Sequence, residues 1–217
     1  MTSMVGGIPF HEFLIVHAAP IEGYGLEDLG VQSIGVGKVA SAVHCAELIR
    51  SRENVRAVLL FGVAGAFPAR HRDSEAPVGI SDLVVVSHDQ LGDEGVATPD
   101  GFLDLGAMQL GDCGPFAADP RMARDAVARL AAPLVHGVTV SSCSGTDASS
   151  QTMRQRSGAD IETMEGAAVA FVCRQLEVPL LHVRAISNWT GDRDCGEWSL
   201  GSAVDVVQAA VRGLMQP

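Results

Sequence analysis

Two kinds of apolar pattern alternate along these 217 residues. Short continuous apolar runs read as strands buried on both faces, and longer stretches with apolar positions three or four apart read as helices. Strands are predicted at 12–18, 31–36, 57–61, 82–87, 134–141 and 180–186. Helices are predicted at about 37–52, with Val39, Val43, Ala46 and Ile49 inward, and from Asp119-Pro120 to about 132, with proline in the first turn. An alanine-rich helix is opened by Glu162, Met164, Glu165 and Gly166, and Val178-Pro179 stops it, because proline lacks an amide proton and restricts the residue before it. A last helix spans 200–214, with Val204, Val207, Ala210, Val211 and Leu214 inward.

One polar residue breaks the 180–186 run. Arg184 lies inside a strand that reads as buried, and a buried charge is expensive unless it is paired. It therefore predicts a carboxylate close by, with Glu165 at the start of the preceding helix as a candidate. A structural ion pair locking helix to strand satisfies the same demand. Glu22 falls just past the carboxyl end of the first strand, where open α/β sheets place ligands, although a solvated loop glutamate is the commoner case. Gly35-Val36-Gly37-Lys38-Val39-Ala40 has dinucleotide-binding spacing, but it follows the second strand and no ribose-binding acid follows it, so tight strand-to-helix packing explains its glycines better. Residues 61–67, FGVAGAF, read as a glycine loop that lets backbone amides approach a ligand. Residues 88–105 read as a long loop and a candidate substrate lid, and 141–147 as a polar loop. His17 and His88 are more plausible as satisfied core or surface histidines than as site residues.

A chain of this length with 47% hydrophobic side chains can bury the core of one domain spanning 1–217. A formal charge of −11 argues against nucleic acid or an anionic membrane as partner. The five cysteines are scattered without a C-x-x-C pair, the pattern of reduced cytoplasmic thiols rather than a disulfide frame or zinc site. Residues 1–9 lack the basic-then-apolar order of a signal peptide, and no apolar run approaches membrane-spanning length. No Walker A loop, H-E-x-x-H, G-x-S-x-G or calcium loop is present, so no metal or cofactor is expected.

The block from Met164 to Asn188, MEGAA followed by VPLLHVRAISN, resembles the purine nucleoside phosphorylase and nucleosidase superfamily. IGVGKVASA, FGVAGAF and VGISDLVVVS extend the likeness over most of the chain. TMEGAA, RAISN and GDRD together look most like the futalosine hydrolases of the alternative menaquinone pathway; the related methylthioadenosine/S-adenosylhomocysteine nucleosidases would carry aspartate in place of Asn188. The resemblance implies a single α/β domain, a central mixed β-sheet flanked by helices, and a homo-oligomer acting on a small-molecule nucleoside. It implies Glu22 as the base that activates water, with Arg184 and Ser187 positioning that water. Glu165 would grip the sugar hydroxyls, Met164 would pack on the ribose, and Val63, Ala64 and Gly65 would face the ribose and base. Asn188 would bond the leaving purine, and the 141–147 backbone would contact it. Superfamily phosphorylases bring arginines to phosphate from an early G-x-x-x-R loop and from beside the glycine loop. Here no arginine occurs between Leu14 and Ile49, and Arg70 and Arg72 lie in a segment, 68–77, that reads as a surface loop. Without a fork of guanidinium donors phosphate binds poorly, so water is the expected nucleophile. The competing readings are an adenine nucleosidase, a nucleoside phosphorylase, a nucleotide-sensing or carrier protein on the same fold, and a nicotinamide-dependent reductase.

Overall fold

A computed structural model describes residues 3–68, 78–192 and 199–215. Its strands are β1 (Met4–Val5), β2 (Ile8–Pro9), β3 (Phe13–His17), β4 (Gln32–Ser33), β5 (Ala57–Ala66), β6 (Leu83–Leu91), β7 (Gly95–Thr98), β8 (Gly101–Asp104), β9 (Phe116–Ala117), β10 (Leu134–Thr139), β11 (Ile161–Thr163) and β12 (Leu180–Trp189). The helices are α1 (Pro20–Gly23), α2 (Lys38–Arg50), α3 (Pro120–Leu130), α4 (Asp147–Ser157), α5 (Gly166–Gln175) and α6 (Leu200–Met215).

The main sheet runs in the order β11-β10-β6-β12-β5-β3-β4, and β11 also pairs antiparallel with the end of β5. Five strands therefore close on themselves, with β3 and β4 continuing beyond β5. The sheet is mixed: β12 is parallel to β5 and antiparallel to β6. Period-two alternation sorts the core. Ala57, Leu59 and Phe61 of β5 and Leu181, Val183 and Ala185 of β12 pack toward α3 and α6. Val58, Leu60 and Leu180 face the opposite way, toward α2 and α5. His182 and Arg184 share that second face by the same alternation, which aims them at the N-terminus of α5.

Several elements differ from the sequence expectation. The segment at 61–67 is strand through Ala66, because β12 pairs with β5 along its whole length. The expected lid at 88–105 is the end of β6 followed by a two-stranded hairpin, β7 and β8. The strand expected at 31–36 shrinks to β4. Helix α2 buries Ser41, Cys45 and Ile49, while Val39 is 80% exposed and Val43 is 49% exposed. Glu162 lies in β11, ahead of the helix it was expected to open. By contrast, Asp119 caps α3 through the amides of Arg121 and Met122, and α6 buries Val204, Val207, Ala210, Val211 and Leu214. Cys45, Cys113 and Cys173 are free thiols; Cys195, Arg70, Arg72, Arg193 and Asp194 lie outside the described residues.

Candidate active site

The site is built around a gap along one edge of β5. On that edge β3 pairs with Ala57 to Leu60 and β11 with Gly65 and Ala66, so the backbone between them is left to side chains. Glu22 takes the N–H of Val63 at 2.9 Å on Oε1, and Arg184 Nη1 donates to the carbonyl of Val63 at 3.1 Å. Glu22 Oε2 also accepts from Ala18 and Ala19 at 3.0 and 2.9 Å. Three backbone donors thus fix a carboxylate that is only 2% exposed, so it is no solvated loop glutamate. Gly62 makes this possible: a methyl group on it would lie 2.5 Å from Glu22 Oε1 and 2.7 Å from Arg184 Nη1.

Arg184 is 1% exposed and meets the carboxylate its burial demands, with Nη2 3.6 Å from Glu165 Oε2. Its Nε donates to His182 Nε2 at 2.8 Å. Burial, with the neighbouring guanidinium, pushes the His182 pKa well down, so the ring is neutral and carries its proton on Nδ1. Arg184 Nη2 is buried with no hydrogen-bond partner, a donor left over in the pocket.

Glu165 is the residue immediately before α5, and its Oε1 accepts from the N–H of Gly37 at 3.0 Å. Gly37 has φ of 91° and Gly35 of 78°, conformations that favour glycine. Burial raises the Glu165 carboxyl above its usual range; Arg184 and the Gly37 amide oppose that rise, and Glu22 adds to it. Lys38 tethers the same turn to Asp93 at 2.6 Å, and Asp93 in turn accepts from the amide of Ser141 at 2.6 Å.

At the end of β12 the pairing register shifts between Ile186 and Asn188, which brings Asn188 opposite Gly65. Ser187 Oγ lies 2.8 Å from Asn188 Oδ1 and 3.2 Å from the Ala64 carbonyl, and Asn188 Nδ2 donates to the Trp189 carbonyl at 2.9 Å. The amide is thereby fixed in orientation, with one N–H and part of its oxygen's capacity to spare. Buried Glu162 shapes the 141–147 loop by accepting from the Ser144 amide and hydroxyl at 2.8 and 2.6 Å. Met164 is half-buried beside Glu165.

The structure therefore brings together Glu22, Glu165, Arg184 and Val63, with Ala64, Gly65, Ser187 and Asn188 along the adjoining strand ends. Val63's backbone, expected to face a ligand, is spent on Glu22 and Arg184. Sequence reasoning missed His182 and Asp89. His182 had a signal, since it sits two residues before Arg184 on the same strand face. Asp89 had none while 88–105 read as a loop.

The closed mixed sheet flanked by helices is the fold of a known class. The chain belongs to the phosphorylase superfamily, whose family model matches residues 24–215. Within it the chain groups with the futalosine hydrolases: that of Thermus thermophilus is 33% identical over 186 residues, covering 83% of this chain and 78% of the relative. That of Streptomyces coelicolor is 35% identical over 157 residues, covering 71% and 63%. The fold is shared with 5'-methylthioadenosine/S-adenosylhomocysteine nucleosidase of Neisseria meningitidis (TM-score 0.75, 20% identity, 93% of this chain and 97% of that one). It is shared equally with futalosine hydrolase of Helicobacter pylori (TM-score 0.74, 18% identity, 93% and 97%).

Proposed function

We propose that the protein hydrolyses the N-glycosidic bond of futalosine, releasing hypoxanthine and dehypoxanthine futalosine in menaquinone biosynthesis. The observation that carries this reading is two buried carboxylates, Glu22 and Glu165, set around one guanidinium whose Nη2, ion-paired with Glu165, makes no hydrogen bond. Cleaving a ribosyl–purine bond passes through an oxocarbenium-like sugar. A base must deprotonate water, the sugar hydroxyls must be held, and the leaving purine must receive a proton or hydrogen bond.

Glu22 is the general base, and Arg184 and Ser187 position its water. Glu165 accepts from two adjacent ribose hydroxyls while Met164 packs on the ring, and Val63, Ala64 and Gly65 form the wall behind the sugar and base. The engagement of Arg184 favours water over phosphate. Its Nε is held by His182 and its Nη1 by Val63, so one nitrogen remains where a phosphate dianion needs a fork. Asn188 bonds the purine: its amide N–H donates to O6 of a 6-oxopurine and its oxygen accepts from N7–H. An aspartate there would oppose O6 and the Trp189 carbonyl with lone pairs. An unmatched buried polar contact costs about 1–3 kcal/mol, or roughly tenfold to hundredfold in preference. The outward Val39 and Val43, one turn apart on α2, support a homo-oligomer, and the free thiols support a cytoplasmic setting.

The deciding assay incubates the protein with futalosine, inosine and methylthioadenosine, with and without phosphate. Hypoxanthine and a free reducing sugar should form from futalosine without phosphate. A sugar 1-phosphate product, or preferential release of adenine, would overturn the reading. Asn188→Asp should lower the ratio of hypoxanthine to adenine release on matched nucleosides; an unchanged ratio removes Asn188 from purine selection.

A further inference from the structure

A helix begins with amide N–H groups that have no intrahelical acceptor, and the residue just before it ordinarily supplies one from its side chain. At α5 that residue is Glu165, and its carboxylate makes no such bond. Two threonines from neighbouring strands do so instead. The N–H of Gly166 donates to Thr163 Oγ1 at 3.2 Å, and that of Ala167 to Thr139 Oγ1 at 2.7 Å. Each hydroxyl then turns toward one buried carboxylate: Thr139 Oγ1 lies 2.9 Å from Asp89 Oδ1, and Thr163 Oγ1 lies 3.4 Å from Asp89 Oδ2. The two hydroxyls are 3.0 Å apart.

Asp89 lies in β6, 1% exposed, in a space that two glycines keep open. A methyl group on Gly166 would sit 2.1 Å from Asp89 Oδ2, and one on Gly137 would sit 2.6 Å from it. No cation is in hydrogen-bonding contact with it among the described residues; Arg184 acts on it through space, and His182 flanks the same glycine. An apolar side chain would fill this volume at lower cost, so the acid's value lies in its polarity. In its ionised form, which takes over as pH rises through about 7, the Asp89 carboxylate only accepts. It therefore draws both hydroxyl protons toward itself and leaves the oxygen lone pairs facing the helix amides.

We propose that Asp89, Thr139 and Thr163 are positioning residues for Glu165: they cap α5 in its place and so free its carboxylate for the sugar. The inference rests on the reading that Glu165 grips the ribose hydroxyls. Without the two threonine oxygens the first turn of α5 would draw on the side chain at its own N-cap position, Glu165, and swing it away from Gly37 and Arg184.

The test compares hydrolysis of futalosine with that of its 2′,3′-dideoxy analogue, since a misdirected Glu165 harms only the substrate whose hydroxyls it holds. Thr139→Val and Thr163→Val should lower kcat/KM on futalosine about tenfold to hundredfold. The dideoxy analogue should change less than about threefold, and Thr139→Ser and Thr163→Ser should behave as wild type, because serine restores the hydroxyl. Valine variants that keep the wild-type ratio, or that lose both substrates equally, would overturn the inference. Should the valine variants fail to fold by circular dichroism, Asp89→Asn decides by the same ratio, because its amide can orient only one hydroxyl as the carboxylate does. Glu165→Gln is the control. If it leaves the ratio unchanged, the assignment of Glu165 to the sugar falls, and the capping inference with it.

Discussion

Gly62 holds apart two charged groups that cannot retreat. Glu22 is pinned by three amides and Arg184 by Val63 and His182, so a methyl group at 62 displaces one of them from the pocket. Gly62→Ala should reduce turnover by about a hundredfold or more, as expected for misplacing reacting groups by about 1 Å. Retention of most activity in steady-state kinetics would show that the two groups do not act together. Glu22→Gln should cost roughly 10²–10⁴-fold in kcat through loss of the base. It should also lower the melting temperature, because a glutamine has one carbonyl oxygen for three inward N–H groups and its NH₂ must face one of them. A variant with near-normal turnover would mean that another group deprotonates water.

Among the elements, α1 is the least able to stand alone. A four-residue helix has no cooperative stability of its own, yet it carries Glu22. The C-terminal helix holds it in place. Gln208 Nε2 donates to the carbonyls of Glu22 and Tyr24 at 3.0 and 2.8 Å, and Arg212 reaches Gly25 and Asp28. From the other side, the His17 ring donates to the Ala19 carbonyl at 3.0 Å and fills the space beside Gly23. Gln208→Leu should therefore lower kcat about tenfold while fold stability falls by only about 1 kcal/mol, the net worth of such bonds. Hydrogen exchange should quicken at the amides of 18–25 and not in β12. Uniform quickening across the sheet would instead mark Gln208 as a general stabiliser.

At the scale of the whole molecule, the site concentrates acids in the interior of a chain already at −11. Burial raises Asp89 to about 7, partly offset by Thr139 and Arg184. An acid that binds its proton more tightly when folded favours folding below its unfolded pKa, near 4, and loses that contribution as pH rises through its folded value. Stability attributable to Asp89 should thus fall between pH about 4 and about 7, by on the order of 4 kcal/mol. Urea unfolding of the wild type and of Asp89→Asn across this range checks it. The difference between them should slope within the window and be flat on either side, whereas a pH-independent difference would refute the shift.

Local pattern was enough to determine the scaffold's buried runs and the need for an ion pair. The apolar stretch around Arg184 announced both a doubly covered strand and a carboxylate partner, since burying an unpaired guanidinium is prohibitive; Glu165 supplies it. The inward face of α6 and the cap at Asp119 were legible for the same reason, because their causes lie within a few residues. Helix α4 was not legible, being mostly polar with only Ser150 buried. Nor was the outward turn of Val39 and Val43, since a helix's apolar positions do not say which neighbour will cover them. Residues 62–66 are strand only because β12 lies alongside and β11 closes on their end, pairings made across long separations in sequence. That closure also leaves Val63 unclaimed on one edge, where Glu22 and Arg184 meet. Asp89 and His182 became part of the site only when four strands, β6, β10, β11 and β12, and the start of α5 converged. Tertiary structure decided these features because hydrogen-bond partners and burial belong to pairs of residues distant in the chain, and no single stretch of sequence specifies both members.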